Sequence, residues 1–458
     1  MSFENGFERL QKELSAVKET DALKRLAALF DNGVFTELDR FSKNGGAPCE
    51  VVTACGSVSG MKVYAFSQDS SVSGGAMGRA QAEKIKRVYK LASMTGAPVI
   101  GIYDSMGAHM NEGMDALAAY GELILAANNI SGVVPQISLV LGSCIGSAAI
   151  LANLADVVIM SKNAELCVSS AFVVDDKDNK VGTAETAAGN GTASIVAENE
   201  EDAVKQAALV VSMLPQNNLS VAMIADYVPA VQSDNALESL VDAGSFVEFN
   251  KGFGPCTKIG LARIAGNVVG IVATAPNKDG RMCHKCASKI ARFVRMCDSF
   301  SLPVVTLLDA AGFKGNKESE LSGDIKVVSR LTHAYSEATT AKITVITGKA
   351  YGAVYTAMAG KASNADVVFA WPDAQIAAME PKTAVQFLYK ERLKTEKRED
   401  LETEYINTVA SAFEAAANGH IDDVITKAET PARVIEALEM LCSKRVSTMD
   451  KKHSNMPL

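Results

Sequence analysis

Hydrophobic and polar residues follow two recognisable patterns along this chain. Apolar residues recur at helical spacing after the first glycine-rich turn, which predicts an amphipathic helix with Ile85, Val88, Leu91 and Ala92 on its buried face. The runs PVIGIYD (98–104) and PVVTLLD (303–309) are apolar almost throughout, as is typical of strands buried on both faces. Strands that alternate with helices in this way predict α/β domains with largely buried sheets.

The chain contains this pattern twice. Residues 82–104 align without a gap to residues 287–309, and four shorter pairs of blocks keep the same order at a nearly constant offset. These pairs are 26–38 with 237–249, 59–67 with 265–273, 135–142 with 341–348, and 142–159 with 348–369. Chance could produce one such match but hardly five, so we predict two copies of one domain. Copy one is expected in residues 1–230 and copy two in residues 231–458.

Composition excludes several classes of protein. The net charge of -8 over 458 residues argues against a general nucleic-acid or anionic-membrane surface. The first twenty residues carry acidic side chains and no apolar core of a secretory signal, and no stretch is apolar enough to span a bilayer. The nine cysteines are scattered, which fits a reducing compartment. A cytoplasmic protein without direct membrane insertion is therefore expected.

Candidate chemistry lies in small-residue turns that recur in both copies. The segments 146–148 (GSA) and 352–354 (GAV) each follow a buried strand and open a helix, and the loops 104–109 and 309–315 follow a second buried strand. Two backbone N–H groups that converge from such loops form an oxyanion hole. Small residues also permit tight packing of a strand against a helix, which is the simpler interpretation of one copy alone. The presence of both loops in both copies favours the oxyanion holes.

Several motifs together resemble one enzyme family. They are QDSSVSGGAM (68–77), APVIGIYDSMGA (97–108), PQISLVLGSCIG (135–146), KIARFVRMCDSF (289–300), KITVITGKAYGAVY (342–355), FAWPDAQIAAM (369–379), GHIDDVI (419–425) and KKHSNMPL (451–458). From about residue 26 onward the chain is similar to the carboxyltransferase subunits of biotin-dependent acyl-CoA carboxylases and decarboxylases. Propionyl-CoA carboxylase β chains are the nearest type.

This resemblance implies a fold and an assembly. Members of the family have tandem duplicated crotonase-like domains built from ββα superhelical turns. Their N-terminal domain binds acyl-CoA, and their C-terminal domain binds biotin. They usually form hexamers, in which each active site lies between the N-terminal domain of one subunit and the C-terminal domain of another.

The resemblance also assigns residues. The thioester oxygen would be held by Gly107, Ala108, Gly146 and Ser147, and the biotin oxygen by Gly312, Phe313, Ala353 and Val354. Contacts to CoA or biotin are expected from Gly74, Gly75, Arg79, Lys84, Tyr351 and Tyr355. For Arg79 and Lys84, which follow the glycine-rich turn, a solvated helix face is an equal alternative to CoA phosphates. Family members usually carry Gly-Gly at positions 146–147 and Gly-Ala at positions 353–354.

Two other features are given structural interpretations. The motif CHKC (283–286) resembles half a zinc site or a thiol redox pair, but a tetrahedral site needs four ligands and the sequence has no second close pair. We predict no metal there. The polar segment 175–192 is predicted to be a mobile loop, and the segment 313–330 is predicted to be a loop that departs from the family pattern.

The function expected from the resemblance is transfer of a carboxyl group between an acyl-CoA of the propionyl or methylmalonyl type and biotin. The chain has no biotinylation motif and no P-loop, so biotin is expected on a separate carrier protein. A biotin carboxylase or a membrane decarboxylase subunit would be a further partner. Three alternatives stay open: the decarboxylase direction of the same reaction, a crotonase-like serine protease that uses Ser147, and a non-catalytic scaffold that retains the fold.

Overall fold

The computed structural model describes residues 5–16, 19–44, 46–274, 280–361 and 365–457. The chain divides into two compact units, residues 1–221 and 222–458. The division falls within a stretch that has no regular element, between the helix that ends at Met213 and the strand that begins at Val247.

Unit one contains a mixed sheet with helices. Its strands are β1 (Phe35–Leu38), β2 (Lys43–Asn44), β3 (Ala47–Pro48), β4 (Val51–Val58), β5 (Met61–Gln68), β6 (Val99–Ser105), β7 (Gln136–Ile145), β8 (Val157–Ser161), β9 (Glu165–Cys167) and β10 (Ile195–Ala197). Its helices are α1 (Gly6–Ala16), α2 (Asp21–Leu29), α3 (Arg79–Thr95), α4 (Met114–Asn129), α5 (Ser147–Asn153), α6 (Ala184–Asn190) and α7 (Glu200–Met213). The main sheet has the order β1-β4-β5-β6-β7-β8-β10, and β9 also pairs with β7. The pairs β1–β4 and β4–β5 are antiparallel, and the later pairs are parallel.

Unit two repeats this arrangement. Its strands are β11 (Val247–Phe249), β12 (Thr257–Ile264), β13 (Asn267–Thr274), β14 (Val304–Ala310), β15 (Lys342–Tyr351), β16 (Val367–Ala370), β17 (Gln375–Ala377) and β18 (Asp423–Val424). Its helices are α8 (His284–Ser299), α9 (Lys317–Ser322), α10 (Ile325–Glu337), α11 (Ala353–Met358), α12 (Pro381–Leu388), α13 (Arg398–Thr408), α14 (Ala412–Ala417) and α15 (Thr430–Leu441). The order β11-β12-β13-β14-β15-β16-β18, with β17 on β15, matches unit one strand for strand. The predicted duplication is confirmed.

The hydrophobic pattern accounts for the packing of α3 and of the strand beside it. Ile85, Val88 and Ala92 are fully buried in the core of unit one, while Leu91 is half-buried at its edge. Strand β6 is buried on both faces over residues 99–103, because helices cover a parallel sheet on each side. The predicted amphipathic helix and buried strand are both confirmed.

The two predicted loops contain helices. Residues 184–190 form α6, and the segment 313–330 contains α9 and the start of α10. The Thr183 hydroxyl accepts a hydrogen bond from the backbone N–H of Thr186, and the Asn316 side chain caps α9 in the same way. These N-cap residues stabilise helices that are too short and polar to produce a hydrophobic period. The loop predictions for these residues were therefore wrong.

Candidate active site

A hydrogen-bonded bridge fixes the first loop of the site in unit one. Beyond the end of β6, the Gly107 carbonyl oxygen accepts a hydrogen bond of 2.8 Å from the Met77 N–H. The His109 N–H donates in turn to the Met77 carbonyl oxygen, also at 2.8 Å. Ala108 lies between these two bonds, so its backbone orientation is set from both sides. Met77 was not among the predicted site residues, although it ends the quoted motif SGGAM.

Two of the four predicted donors in unit one are used within the protein. The Gly107 N–H donates to the Ser105 hydroxyl at 3.2 Å, and the Gly146 N–H donates to the Cys167 carbonyl oxygen at 3.0 Å. The N–H groups of Ala108 and Ser147 have no acceptor in the described part of the chain. The donors that a ligand oxygen could use are therefore those of Ala108 and Ser147.

The two loops of unit one lie side by side. Strands β6 and β7 pair in parallel and place Ser105 opposite Cys144. A side-chain carbon added at Gly107, where φ is +109°, would lie 3.7 Å from the Ile145 carbonyl oxygen. At Gly146, where φ is +67°, the nearest atom would be 4.0 Å away. Glycine permits this backbone direction at both positions and leaves the space beside the open N–H groups unfilled.

Unit two reproduces the same bridge. The Met282 N–H donates to the Gly312 carbonyl oxygen at 3.0 Å, and the Lys314 N–H donates to the Met282 carbonyl oxygen at 2.7 Å. The Gly352 N–H is used by the Ala377 carbonyl oxygen at 2.9 Å, as Gly146 is in unit one. Extending the repeat alignment five residues before position 82 would have identified Met77 and Met282 as a repeated pair.

The open donors of unit two differ from those of unit one in number and surroundings. Within the described residues, the N–H groups of Gly312, Phe313 and Ala353 have no acceptor. Ala310 stands where unit one has Ser105, so no hydroxyl accepts from Gly312. Phe313 replaces Ala108 and is half-buried. The side chain of Val354 is fully buried in the core, so only its backbone faces the turn.

A carboxylate lies next to the site strand in each unit. A side-chain carbon at Gly142 would lie 2.0 Å from the Asp104 carboxylate, and one at Gly348 would lie 2.4 Å from the Asp309 carboxylate. Asp104 accepts hydrogen bonds from Arg25 and from Ser70, each at 2.8 Å, whereas Asp309 accepts from the Lys349 N–H at 2.9 Å. Glycine is needed at both positions because the carboxylate crosses the neighbouring strand.

The glycine-rich turn predicted to contact CoA packs against the first loop. The Gly74 carbonyl oxygen accepts a hydrogen bond of 3.1 Å from the Met106 N–H, and a side-chain carbon at Gly75 would lie 2.2 Å from the Asp104 carbonyl oxygen. Arg79 begins α3 with an exposed side chain, whose guanidinium lies 3.8 Å from Glu122. The turn therefore supports the loop, and Arg79 faces solvent near it.

Lys84 does not share that exposed surface. Its ammonium group donates a hydrogen bond of 2.8 Å to the Val51 carbonyl oxygen, and the residue is 5% exposed. Burial lowers its pKa. The equivalent Lys289 is buried in unit two, where burial likewise lowers its pKa and its ammonium faces the Asn250 carbonyl oxygen at 3.5 Å. Because both copies keep a buried lysine here, we assign Lys84 a structural role, in which it holds α3 against strand β4.

On the predicted biotin side, the hydroxyl groups of both tyrosines are hydrogen-bonded within the protein. The Tyr351 hydroxyl donates to the Gln375 side chain, and the Tyr355 hydroxyl donates to the His420 carbonyl oxygen at 3.0 Å. Burial raises the pKa of both hydroxyls above the ordinary value. Both tyrosines are therefore neutral and hold neighbouring segments in place.

His109 has a buried Nδ1 atom without a partner among the described residues, and it directly follows Ala108, whose N–H is open.

Each unit thus has one place where backbone N–H groups from two neighbouring loops have no acceptor within the described residues. The sequence matches the carboxyl transferase domain family over residues 16–456, and the chain belongs to that family. It is 38% identical to the methylmalonyl-CoA decarboxylase subunit alpha of Veillonella parvula, over 99% of this chain and 96% of that protein. It is 35% identical to the propionyl-CoA carboxylase carboxyltransferase subunit of Haloferax mediterranei, over 99% and 96%.

The fold of this chain is also similar to that of a solved structure. The chain is similar to the crystal structure of transcarboxylase 12S, described as a hexamer assembly with methylmalonyl-coenzyme A and methylmalonic acid bound. The TM-score is 0.91 with 35% sequence identity, covering 98% of this chain and 94% of that one. Within the described residues, none of the helices has both the length and the apolar character needed to cross a bilayer.

Proposed function

We propose that this protein is the carboxyltransferase subunit that moves a carboxyl group between a CoA thioester of the propionyl or methylmalonyl type and biotin on a separate carrier protein. The observation that carries the proposal is the repeated pair of open backbone donors, Ala108 with Ser147 and Phe313 with Ala353. A reaction with two acyl-type oxygens that gain negative charge needs two such sites. The named relatives act on methylmalonyl-CoA and propionyl-CoA.

In unit one the open donors act on the thioester. When the carboxyl group leaves the α-carbon of the acyl-CoA, or arrives there, negative charge develops on the thioester oxygen. The N–H groups of Ala108 and Ser147 stabilise that charge without moving, because the Met77 bridge and the start of α5 already fix them. Removing one such donor typically costs about 3–4 kcal/mol in the barrier.

In unit two the open donors suit the ureido oxygen of biotin. When bound, biotin supplies the ureido nitrogen that carries the carboxyl group. The N–H groups of Gly312, Phe313 and Ala353 fit an anionic oxygen because none is used within the described chain. Ala353 is exposed, so a ring on a long carrier arm can approach it from solvent.

A homo-oligomer completes the proposal. The related transcarboxylase 12S is a hexamer assembly. We place the acyl-CoA side in copy one and the biotin side in copy two, with the working site formed by copies from different subunits. The biotin carrier and either a biotin carboxylase or a membrane decarboxylase subunit would be its partners. The direction of the reaction follows from which of these partners is present.

The direct test incubates the purified protein with methylmalonyl-, malonyl- or glutaconyl-CoA and a biotinylated carrier protein. Chromatography follows loss of the carboxylated thioester, and the same carrier without biotin is the control. We expect biotin-dependent conversion of methylmalonyl-CoA to propionyl-CoA. No loss of any thioester by the intact oligomer would contradict the proposal and favour a non-catalytic scaffold.

A further inference from the structure

The fold brings a third cysteine to the CHKC motif. The Sγ atoms of Cys256, Cys283 and Cys286 all lie within 4.8 Å of one another, and those of Cys283 and Cys286 are 3.4 Å apart. Cys256 lies 27 residues before the motif, so the sequence spacing did not reveal it. Three thiolates about 2.3 Å from one zinc ion would lie about 3.8 Å apart, which is close to the arrangement found.

Local structure holds this cluster together. The segment 250–257, which joins β11 to β12, makes two consecutive tight turns, with the Phe253 N–H bonded to the Asn250 carbonyl oxygen and the Thr257 N–H bonded to the Gly254 carbonyl oxygen. The Cys286 thiol donates to that Gly254 oxygen at 3.4 Å. A side-chain carbon at Gly254, where φ is +61°, would lie 2.8 Å from the Cys286 backbone nitrogen. Only glycine lets the segment approach the start of α8 this closely.

Two lysines fasten the same segment to α8. The Lys285 ammonium lies 5.5 Å from the centre of the Phe253 ring, and the Lys289 ammonium faces the Asn250 carbonyl oxygen. The position of Cys256 is thus set by contacts along the whole segment.

A buried hydroxyl lies against the cluster. Thr257 follows Cys256, is 1% exposed, and its hydroxyl faces the Cys286 thiol. A metal-bound thiolate at Cys286 would accept a hydrogen bond from this hydroxyl, which would help to orient the ligand.

We propose that Cys256, Cys283 and Cys286 bind one thiophilic divalent cation, with zinc as the expected metal and water in the fourth position. Soft thiolates select such ions, and the half-burial of Cys256 and Cys283 leaves one side of the cluster open to water. The proposed site goes beyond the proposed carboxyl transfer and departs from our sequence-based prediction that no metal binds at the CHKC motif. Cys283 directly follows Met282, whose backbone is hydrogen-bonded to Gly312 and Lys314. A bound ion would therefore help to hold Met282 in position.

The test uses the full-length protein, reduced and freed of metal, and titrates it with Co²⁺ and then Zn²⁺. We expect one Co²⁺ per chain with a thiolate-to-metal charge-transfer band that Zn²⁺ abolishes. Because even outer-shell changes weaken metal sites 10- to 100-fold, Cys256→Ser should weaken binding by roughly 100-fold or more. Cys442→Ser, at an exposed cysteine outside the cluster, should leave the band unchanged.

A second variant guards against simple misfolding. Gly254→Ala keeps all three thiols but pushes the segment away from α8, so we expect a weaker band while circular dichroism still shows a folded chain. Absence of a charge-transfer band in the wild type would overturn the proposal, and so would a band that survives Cys256→Ser. A Cys283–Cys286 disulfide forming under mild oxidant, without metal binding by the reduced protein, would assign the cluster to redox chemistry instead.

Discussion

The Arg25 guanidinium donates a hydrogen bond of 2.8 Å to the Asp104 carboxylate, close to the end of the strand that leads to the first site loop. Both side chains are nearly buried, at 10% and 13% exposed. Arg25 also donates two hydrogen bonds to Glu200, at 2.6 and 2.9 Å. Burial opposes its charge, but the bonds to Glu200 and Asp104 raise its pKa above the ordinary value. One cation therefore compensates two acids beside the site.

Replacing Arg25 should destabilise the protein. In Arg25→Met the Asp104 carboxylate stays buried without its cation, and removing one partner of a buried pair typically costs roughly 3–5 kcal/mol. The measurement is the urea midpoint at neutral pH. Lys24→Met, on the same helix with a side chain 56% exposed, is the matched control and should change little. Equal midpoints for the two variants would contradict a structural role for Arg25.

Ser147 offers a clean test of the open donor in unit one. As the first residue of α5 it can be proline without loss of a helical hydrogen bond, so Ser147→Pro removes only the N–H and the hydroxyl. Ser147→Ala removes the hydroxyl and keeps the N–H. We expect Ser147→Pro to lower kcat by about 100- to 1,000-fold and Ser147→Ala to leave it nearly unchanged.

The same pair of variants separates carboxyl transfer from serine protease chemistry. A nucleophilic serine would make Ser147→Ala as inactive as Ser147→Pro, because both lack the hydroxyl. Circular dichroism and thermal melting of both proteins check that α5 still forms.

Arg79 and Lys84 should respond differently to substitution. If the exposed Arg79 guanidinium contacts a CoA phosphate, Arg79→Ala should raise the Kd for CoA by about tenfold or more, since a charged hydrogen bond is worth about 1.5–3 kcal/mol. Lys84→Met should leave the Kd for CoA unchanged and alter thermal stability, because the Lys84 ammonium donates a hydrogen bond to the Val51 carbonyl oxygen. Isothermal titration with CoA gives both values. Weaker CoA binding by Lys84→Met alone would instead assign the phosphate contact to Lys84.

The C-terminal segment should detach in acid. Partial burial raises the pKa of Glu337, but hydrogen bonds from Lys451 and Ser454 outweigh it and bring the pKa to about 2. Since this lies below the unfolded value of 4.5, the stabilisation is complete above about pH 4.5 and is lost as the pH falls toward about 2. The protection of residues 450–457 against hydrogen exchange, measured relative to the unstructured rate at the same pH, should therefore fall over that window.

A charge-neutral variant checks the origin of this effect. Glu337→Gln should show fast exchange of residues 450–457 already at neutral pH, with little further change in acid. Glu320→Gln, at an exposed position, should behave as the wild type does. Retention of slow exchange in Glu337→Gln would assign the attachment of the segment to other contacts, such as that of Arg330 with the Pro457 carbonyl oxygen at 3.4 Å.

The sequence predicted the features that depend on hydrophobic period and on repetition. Buried strands such as β6 and the duplicated turns at Gly146 and Gly352 could be read directly from those signals. Which N–H groups at these two turns are open could not be predicted, because the N–H groups of Gly146 and Gly352 donate to the carbonyl oxygens of Cys167 and Ala377. These belong to three-residue strands with no apolar run to mark them.

Long-range contacts explain the other differences between the sequence-based predictions and the structure. The third cysteine reaches the CHKC motif only through the turns at Asn250 and Gly254, which a ligand-spacing argument cannot foresee. Lys84 was a candidate for CoA because it follows a glycine-rich turn, although the repeat alignment already paired it with Lys289. A charged residue kept at the same place in both copies, only one of which was expected to meet CoA, favours a structural role.

Ser105 in one copy and Ala310 in the other leave the two halves of the chain with different numbers of unused amides. In the first half the Ser105 hydroxyl accepts a hydrogen bond from Gly107, so that glycine amide is already used. In the second half no hydroxyl stands at this place, and the Gly312 amide has no acceptor among the described residues. A single oxygen atom therefore decides whether the glycine amide of each turn is available, and Ser105→Ala together with Ala310→Ser should exchange that difference between the two halves.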